Sequence, residues 1–416
     1  MAETPLQPAI PKGRLLLQRA LTVLAAVLMG LPLVQQLADW PADPPLVGAE
    51  LRLPRPVFGW PAWFDGLYAA QYEKWLQTHA GFRGLLVRLA CQANYSLFNR
   101  IGLAGGTEIT QGKDHWLYET AYVKSAARQP DFSRKKAEQF AGRAAALERL
   151  LAGRGIAFGL IIAPSKAEVL PEHLPDGLVL PPRSPATAYA RIRAELEKQG
   201  VPFVDSRALF QELKASEPFL FPKTGTHWSA CAAWLVWQEA AAGLEARRPD
   251  LRFRFPAEPR IVMNEPLGAD KDLRDLLNLW HFEPGGPARL PYPIPPPPPP
   301  EWRDRHQAVV VGDSFSLTIC DAMARSGLFR QIDLLYYFKR RYTYPAPSFS
   351  PAPHRLMADP GIDMGPIDPA RPDWKSLLDN RQLVLLVINE IHLKDAGWGA
   401  LESLLAELEK PASYSR

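Results

Sequence analysis

Ala308-Val309-Val310-Val311-Gly312-Asp313-Ser314-Phe315-Ser316 decides how this chain is read. Four apolar residues run into Gly312, and a helix-like segment, Leu317 to Leu328, follows. A buried strand that ends in a Gly-flanked serine and enters a helix is one way an α/β fold presents a nucleophile. The glycine permits a tight turn, and the free N–H groups of the helix start can hold an oxyanion. A second stretch, Lys223-Thr224-Gly225-Thr226-His227-Trp228-Ser229, also stands just before a long apolar helix. Serine and histidine at two helix entrances point to acyl-transfer or ester chemistry, with Ser314 and His227 as the candidate pair.

The surrounding pattern supports an α/β fold. Ile156 to Ala163 reads as a buried strand, Val201 to Val204, Ile332 to Tyr336 and Leu383 to Ile388 as further strands. Helical periodicity covers Lys135 to Gly153, Pro185 to Gln199, Arg207 to Lys214, Trp228 to Leu244 and Ala400 to Leu408. Strands alternating with helices imply a mainly parallel sheet flanked by helices. Ahead of it, Trp63 to Asn99 is helical in pattern, and Gly112 to Tyr118 reads as a turn and a short strand.

Composition sets limits. The 416 residues are 47% hydrophobic and 22% charged, so most of the chain has a core to bury. A net charge of +4, with no aromatic-basic array, gives no sign of nucleic-acid binding. Cys91, Cys231 and Cys320 are widely spaced and read as free thiols, with no zinc pattern. No metal cluster or glycine-rich phosphate loop appears, and no cofactor is expected. The 43 prolines include Pro295 to Pro300, six in a row, within a stretch at 284–304 read as a surface excursion.

Near the N-terminus, Lys12, Arg14 and Arg19 precede an apolar run, Ala20 to Val34. Its far flank carries Asp39, Asp43 and Glu50. The run is about 15 residues, or about 20 with Leu15 to Leu17, which is borderline for a span. The charge asymmetry puts residue 1 in the cytoplasm and the body outside, behind an uncleaved inner-membrane anchor. The expected divisions are 1–40 (tail and anchor), 41–120 (linker and helical lead-in) and 121–416 (the α/β domain).

The motifs, in their order, resemble those of the periplasmic alginate O-acetyltransferases of the SGNH-hydrolase-like J and X type. The resemblance runs over roughly residues 60 to 400. It rests on Gly81-Phe82-Arg83, Asn94 to Phe98, Gly112 to Leu117, Ala163-Pro164-Ser165-Lys166, Thr226-His227-Trp228-Ser229 and Gly312 to Phe315. It implies an SGNH-like fold with a permuted motif order, His before Ser. It further implies an acetyl-Ser314 ester, His227 as general base, and transfer to a hydroxyl of an exported polysaccharide. A membrane-bound O-acyltransferase would supply the acetyl group. The backbone N–H of Ser314, with Gly312, would serve the oxyanion or substrate, while Asp313 braces the turn; Asn389, at the end of the Leu383–Ile388 strand, reads as a strand-end cap or as a donor to the oxyanion or substrate. The family pattern reads Asp-Thr-His-Trp, and here the Asp position is Gly225. Asp205 and Glu390 are the candidate replacements. A polysaccharide acetylesterase and a non-catalytic glycan-binding protein remain as alternatives. Tyr336, Tyr337, Lys339, Arg340 and Arg341 are read as a solvated basic loop or the wall of an acidic-sugar groove.

Overall fold

A computed structural model describes residues 12–38, 40–48, 53–101, 108–254, 260–282, 290–293, 300–302, 305–345 and 361–410. The chain divides into two compact units, residues 1–107 with 275–282, and 108–274 with 283–416.

The first unit holds α1 (Lys12–Ala38), α2 (Trp60–Phe64), α3 (Leu67–His79) and α4 (Arg83–Phe98). Helix α1 is longer than the apolar run, because it takes in Lys12 to Arg19 on one flank and Gln35 to Ala38 on the other. Its 26 residues from Gly13 to Ala38 contain an 18-residue window with a mean hydropathy of 1.8, so the helix is long and apolar enough to cross a membrane.

The second unit begins with a small antiparallel pair, β1 (Ile109–Gln111) and β2 (Leu117–Glu119), and then α5 (Thr120–Arg128) and α6 (Arg134–Ala152). Next come β3 (Ala157–Ala163), α7 (Lys166–Val169), α8 (Ala188–Lys198), β4 (Val204–Asp205), α9 (Ser206–Leu213) and α10 (Ala230–Arg247). Strand β5 (Arg260–Met263) pairs with β6 (Leu290–Pro293), and α11 (Asp272–Leu276) lies between them in sequence. The remainder is β7 (His306–Gly312), α12 (Phe315–Arg325), β8 (Phe329–Tyr336), β9 (Arg340–Pro345), β10 (Ile362–Pro366), α13 (Trp374–Leu378), β11 (Leu383–Asn389) and α14 (Ala400–Leu408).

Seven strands form one sheet in the order β10-β9-β8-β7-β11-β3-β4. From β8 to β4 every pairing is parallel, while β9 and β10 add an antiparallel edge. Strands β3 and β11 have no exposed residue because helices cover both faces. Their side chains alternate: Ile161, Val310, Leu385 and Val387 join one core cluster, and Leu160, Val309, Leu386 and Ile388 the other. All three central strands, β3, β11 and β7, point their C-terminal ends the same way, toward the crevice where open α/β sheets bind ligands.

The structure departs from the sequence reading in three places. Val201 to Phe203 are not strand, since only Val204 and Asp205 reach the sheet. The basic loop after β8 is a hairpin whose arginines are consumed: Arg340 pairs with Asp363, and Arg341 with buried Asp333. The Pro-rich stretch is not wholly a surface excursion. Leu290 to Pro293 form a buried strand with Tyr292 fully enclosed, and residues 294–299 lie outside the described ones. None of the three cysteines is in a disulfide.

Asp333 is the polar knot of the sheet. Its fully buried carboxylate accepts from Arg341 at 2.9 Å, Thr343 at 2.6 Å, Gln331 at 2.8 Å and Arg381 at 2.5 Å. Arg381 is itself buried. Asp333→Ala leaves that guanidinium without its counter-ion and is expected to cost about 3–5 kcal/mol. Urea unfolding of the variant should show the lowered midpoint, and Asp333→Ala with Arg381→Met should recover part of the loss.

Candidate active site

Ser314 stands where β7 turns into α12. Gly312 is required there by close approach: a Cβ would sit 2.7 Å from the Val387 carbonyl oxygen and 2.6 Å from Ser316 Cβ. Asp313 is fully buried and braces the turn. Its carboxylate accepts from the Phe315 N–H at 3.1 Å and from the Asn389 N–H, on neighbouring β11, at 2.6 Å. Burial raises its pKa, while those hydrogen bonds and the nearby histidines His392 and His227 pull the other way.

Asn389 itself caps the following turn, its side-chain oxygen accepting from the Ile391 N–H at 3.1 Å. Its amide nitrogen is buried and has no partner, so a donor is left over at the end of β11. Tyr337, held at φ +48°, is tied to the same turn by its N–H, which donates to the Gly312 carbonyl at 2.8 Å; burial raises its phenol pKa and the Asp313 charge adds to the rise, while Ser314 opposes it. Tyr337 meets His392 at 5.4 Å and Trp398 at 5.3 Å, both edge-on.

His227 is placed by its neighbours in sequence. Ser229 caps α10, accepting from the Ala232 N–H at 3.0 Å. Trp228 is fully buried and donates from its indole to Thr318 of α12 at 2.5 Å. The ring of Phe315, next to the serine, lies edge-on to both, 5.3 Å from Trp228 and 4.9 Å from His227. One aromatic cluster thus locks the histidine loop to the serine helix.

The acid that meets His227 is Asp272, with Oδ2 2.7 Å from Nδ1. The other oxygen of Asp272 accepts from the Thr226 N–H at 2.8 Å and the Leu273 N–H at 2.6 Å. Nε2 of His227 is buried and has no partner. Burial lowers the imidazole pKa, but the hydrogen bond and charge of Asp272, with Glu119 and Asp313 further off, outweigh it and raise it above the ordinary 6.5. Glu119 is a further carboxylate at this cleft, 3.5 Å from the Thr226 hydroxyl. Burial pushes its pKa up, and Asp272 adds to the rise, against opposing pulls from His227 and the Thr226 hydroxyl.

Neither proposed replacement acid reaches the histidine. Asp205 caps α9 and takes Tyr189 at 2.8 Å and Arg193 at 3.0 Å. Glu390 accepts from the Ser165 N–H at 2.9 Å and pairs with Arg207 at 3.1 Å, and burial raises its pKa to about 7.

Asp272 comes from a loop that rides over Gly225. A Cβ at residue 225 would lie 2.4 Å from the Ala269 carbonyl oxygen and 2.9 Å from the Asp270 carbonyl carbon. The loop is pinned from the far side by Tyr292 of β6, which donates to Asp270 at 2.6 Å and accepts from the Leu267 N–H at 2.8 Å. Below, buried Lys166 donates to the carbonyls of Gly225 (2.8 Å), Lys223 (3.1 Å) and Leu117 (2.7 Å). Burial drives its pKa well below that of a free lysine. No His/Cys/Asp/Glu group with metal-holding geometry occurs among the described residues.

Comparison with known proteins bears on the family and the fold. Residues 109–293 match the family described as "SGNH hydrolase-like domain, acetyltransferase AlgX". That span holds His227 and Asp272 and ends before Ser314. The chain is similar to the "Probable alginate O-acetylase AlgJ" of Pseudomonas fluorescens, 25% identical over 43% of this chain and 44% of that protein. The protein of that name from Pseudomonas syringae pv. tomato is 28% identical over 38% and 37%. The chain thus spans under half the length of these relatives. Among solved structures, the O-acetyltransferase domain of Pseudomonas putida AlgJ gives a TM-score of 0.43 at 18% identity, covering 73% of this chain and 99% of that one. Bacillus cereus PatB1 gives 0.41 at 14% identity, covering 69% and 97%. The family match and the relatives support the resemblance to the alginate O-acetyltransferase family and the SGNH hydrolase-like reading of the fold.

Gly225→Ala forces the Ala269–Asp272 loop off the histidine. The His227 Nδ1–H proton, hydrogen-bonded to a carboxylate, should lose its far-downfield NMR signal. Gly225→Asp, which restores the acid at the family's position, should also lower activity, because its Cβ meets the same carbonyl.

Proposed function

We propose that this chain is an O-acetyltransferase that carries acetyl on Ser314 and delivers it to a hydroxyl of an exported polysaccharide. The observation that supports it most is the state of His227. One ring nitrogen is oriented by a carboxylate at 2.7 Å, and the other is buried with no partner. That is the arrangement of a general base waiting for a hydroxyl.

In the first half-reaction the Ser314 Oγ attacks the carbonyl carbon of an acetyl donor, and its proton passes to His227 Nε2. Asp272 holds Nδ1–H and stabilises the imidazolium. The developing oxyanion takes the Ser314 N–H, with the spare Asn389 amide as a second donor. Collapse expels the donor's leaving group, which takes the proton from His227. In the second half, the acceptor hydroxyl gives its proton to Nε2 and attacks the acetyl-serine; collapse breaks the ester bond, and the freed Ser314 Oγ takes that proton back from His227. Asp313 stays a brace, since both its oxygens are held by backbone N–H groups.

The non-catalytic reading drew on the missing acid at residue 225, and Asp272 supplies an acid from elsewhere. The apolar α1 fits an inner-membrane anchor with the body in the periplasm. The acetyl source would then be a membrane-bound O-acyltransferase partner.

Intact mass of the protein after incubation with p-nitrophenyl acetate should show an acetyl adduct, absent in Ser314→Ala. No adduct at any pH sinks the proposal, and free acetate with no transfer to glycan turns it into an esterase. Asp272→Asn should cut the rate by about 10⁴-fold, the loss seen when a triad acid is neutralised. Only neutral His227 accepts a proton, so the rate should rise with pH along a limb centred above 6.5. In Asp272→Asn that limb should move to lower pH, because burial alone favours the neutral ring.

A further inference from the structure

The first unit exposes apolar surface of a kind soluble domains do not leave in water. Helix α2 has no buried residue, and α3 and α4 bury only Thr78 and Gly84. Trp60 is 65% exposed, Trp63 51% and Phe64 79%. Their rings belong to a continuous ladder. Phe58 meets Trp60 and Tyr68, each at 5.2 Å, Tyr68 meets Tyr72 at 5.9 Å, Tyr72 meets Trp75 at 5.2 Å, and Trp75 stacks on His79 at 4.9 Å. On α4, Leu86, Leu89 and Leu97 are exposed at spacings that share one helix face. A contiguous patch of this character marks an interaction surface.

What covers it follows from how these helices are tied to α1. Gln35, the buried polar residue near the end of α1, donates to the Pro41 carbonyl at 3.0 Å and accepts from the Phe82 N–H at 3.1 Å. Gly81 lies so close that a Cβ would sit 2.0 Å from the Pro32 carbonyl oxygen. Asp43, just beyond α1, caps α4 by accepting from Gly84 at 2.6 Å and Leu85 at 3.0 Å. The α3–α4 corner is therefore fixed to the last turns of α1. At 1.5 Å per residue, Gln35 lies about 32 Å beyond Arg14, about the thickness of a bilayer's hydrocarbon core. The corner thus falls at the far membrane surface. Trp and Tyr are the side chains that concentrate at that depth, and Arg55, which stacks 5.6 Å over the Trp75 ring, suits the headgroup layer.

We propose that α2, α3 and α4 form an interfacial foot, lying in the outer headgroup layer of the bilayer with the Phe58–His79 ladder and the Leu86–Leu97 face in contact with lipid. This rests on the reading of α1 as a membrane span. A lipid surface is favoured over a partner protein because the patch is built onto the end of the membrane helix itself.

The full-length chain, with Cys91→Ser, would be reconstituted alone in phosphatidylethanolamine–phosphatidylglycerol vesicles. A polarity-sensitive NBD label would be placed at Phe64→Cys, at Leu24→Cys in α1, or at Lys135→Cys, an exposed position on α6. The remaining native thiols, Cys231 and Cys320, are buried. Emission at residue 64 should shift blue and be quenched by lipids carrying the quencher near the headgroup more than by deep ones. Residue 24 should respond to the deep quencher and residue 135 to neither. A quenched residue 24 with a water-exposed residue 64 overturns the foot and leaves the span intact. Shielding of residue 64 only when a multi-pass acyltransferase is added overturns it in favour of a protein contact. An unquenched residue 24 removes the span and the foot together.

Discussion

The site depends on one close approach, the Ala269 carbonyl against the Cα of Gly225. Backbone passes where a side chain would stand, and Asp272 arrives three residues later at His227. Gly225 and Asp272 are therefore two halves of one arrangement. An aspartate at 225 would orient the histidine from its own loop, but it would also exclude the loop at 268–272. A glycine gives up the local acid and admits a distant one. The geometry of the bond, 2.7 Å to Nδ1, is that of a triad acid whichever loop supplies it.

Holding a catalytic acid on an irregular loop requires support from every side. Tyr292 grips Asp270 and Leu267 from above, the Thr224 hydroxyl donates to the Asp270 carbonyl at 3.0 Å, and the Arg274 N–H returns to the Thr224 carbonyl at 3.0 Å. Lys166 ties the Lys223–Gly225 backbone to β2 from below. Its amine is buried and spends its protons on carbonyl oxygens, so it acts as a clamp. This gives a physical account of Ala163-Pro164-Ser165-Lys166, a motif distant from the nucleophile: Lys166 sets the floor on which the histidine loop lies.

The parts of the fold that were legible in the sequence are those where local pattern and tertiary role agree. Strands β3, β7 and β11 are continuous apolar runs because both faces are covered, and each was readable within a residue or two. The turn at Gly312–Ser314 was readable because a strand, a glycine and a helix start are adjacent in the chain. Asp272 was not. Its role comes from a contact across 45 residues of sequence, and its neighbours, Asp270-Lys271-Asp272, look like any polar helix start. Glycine at 225 signalled only that an acid was missing. Asp205 and Glu390 were plausible because each stands at or just past the C-terminal end of a sheet strand. Each is already consumed, one by a helix cap and Tyr189, the other by Arg207 and the Ser165 N–H.

The Pro-rich region shows the same limit from the other direction. Composition marks Pro291 to Pro300 as an extended, solvated segment, and proline has no N–H to give a sheet. Yet Tyr292, between two prolines, pairs with Ile261 in the β5–β6 ribbon and is wholly buried. An edge ribbon tolerates prolines where a central strand would not. Fixed φ at Pro291 and Pro293 also reduces the freedom of Tyr292, the residue that must hold Asp270 in place. The prolines thus stiffen the support of the acid loop. The constraint runs in one line from β6 through Asp270 to Asp272 and His227, and the glycine at 225 is what leaves room for it.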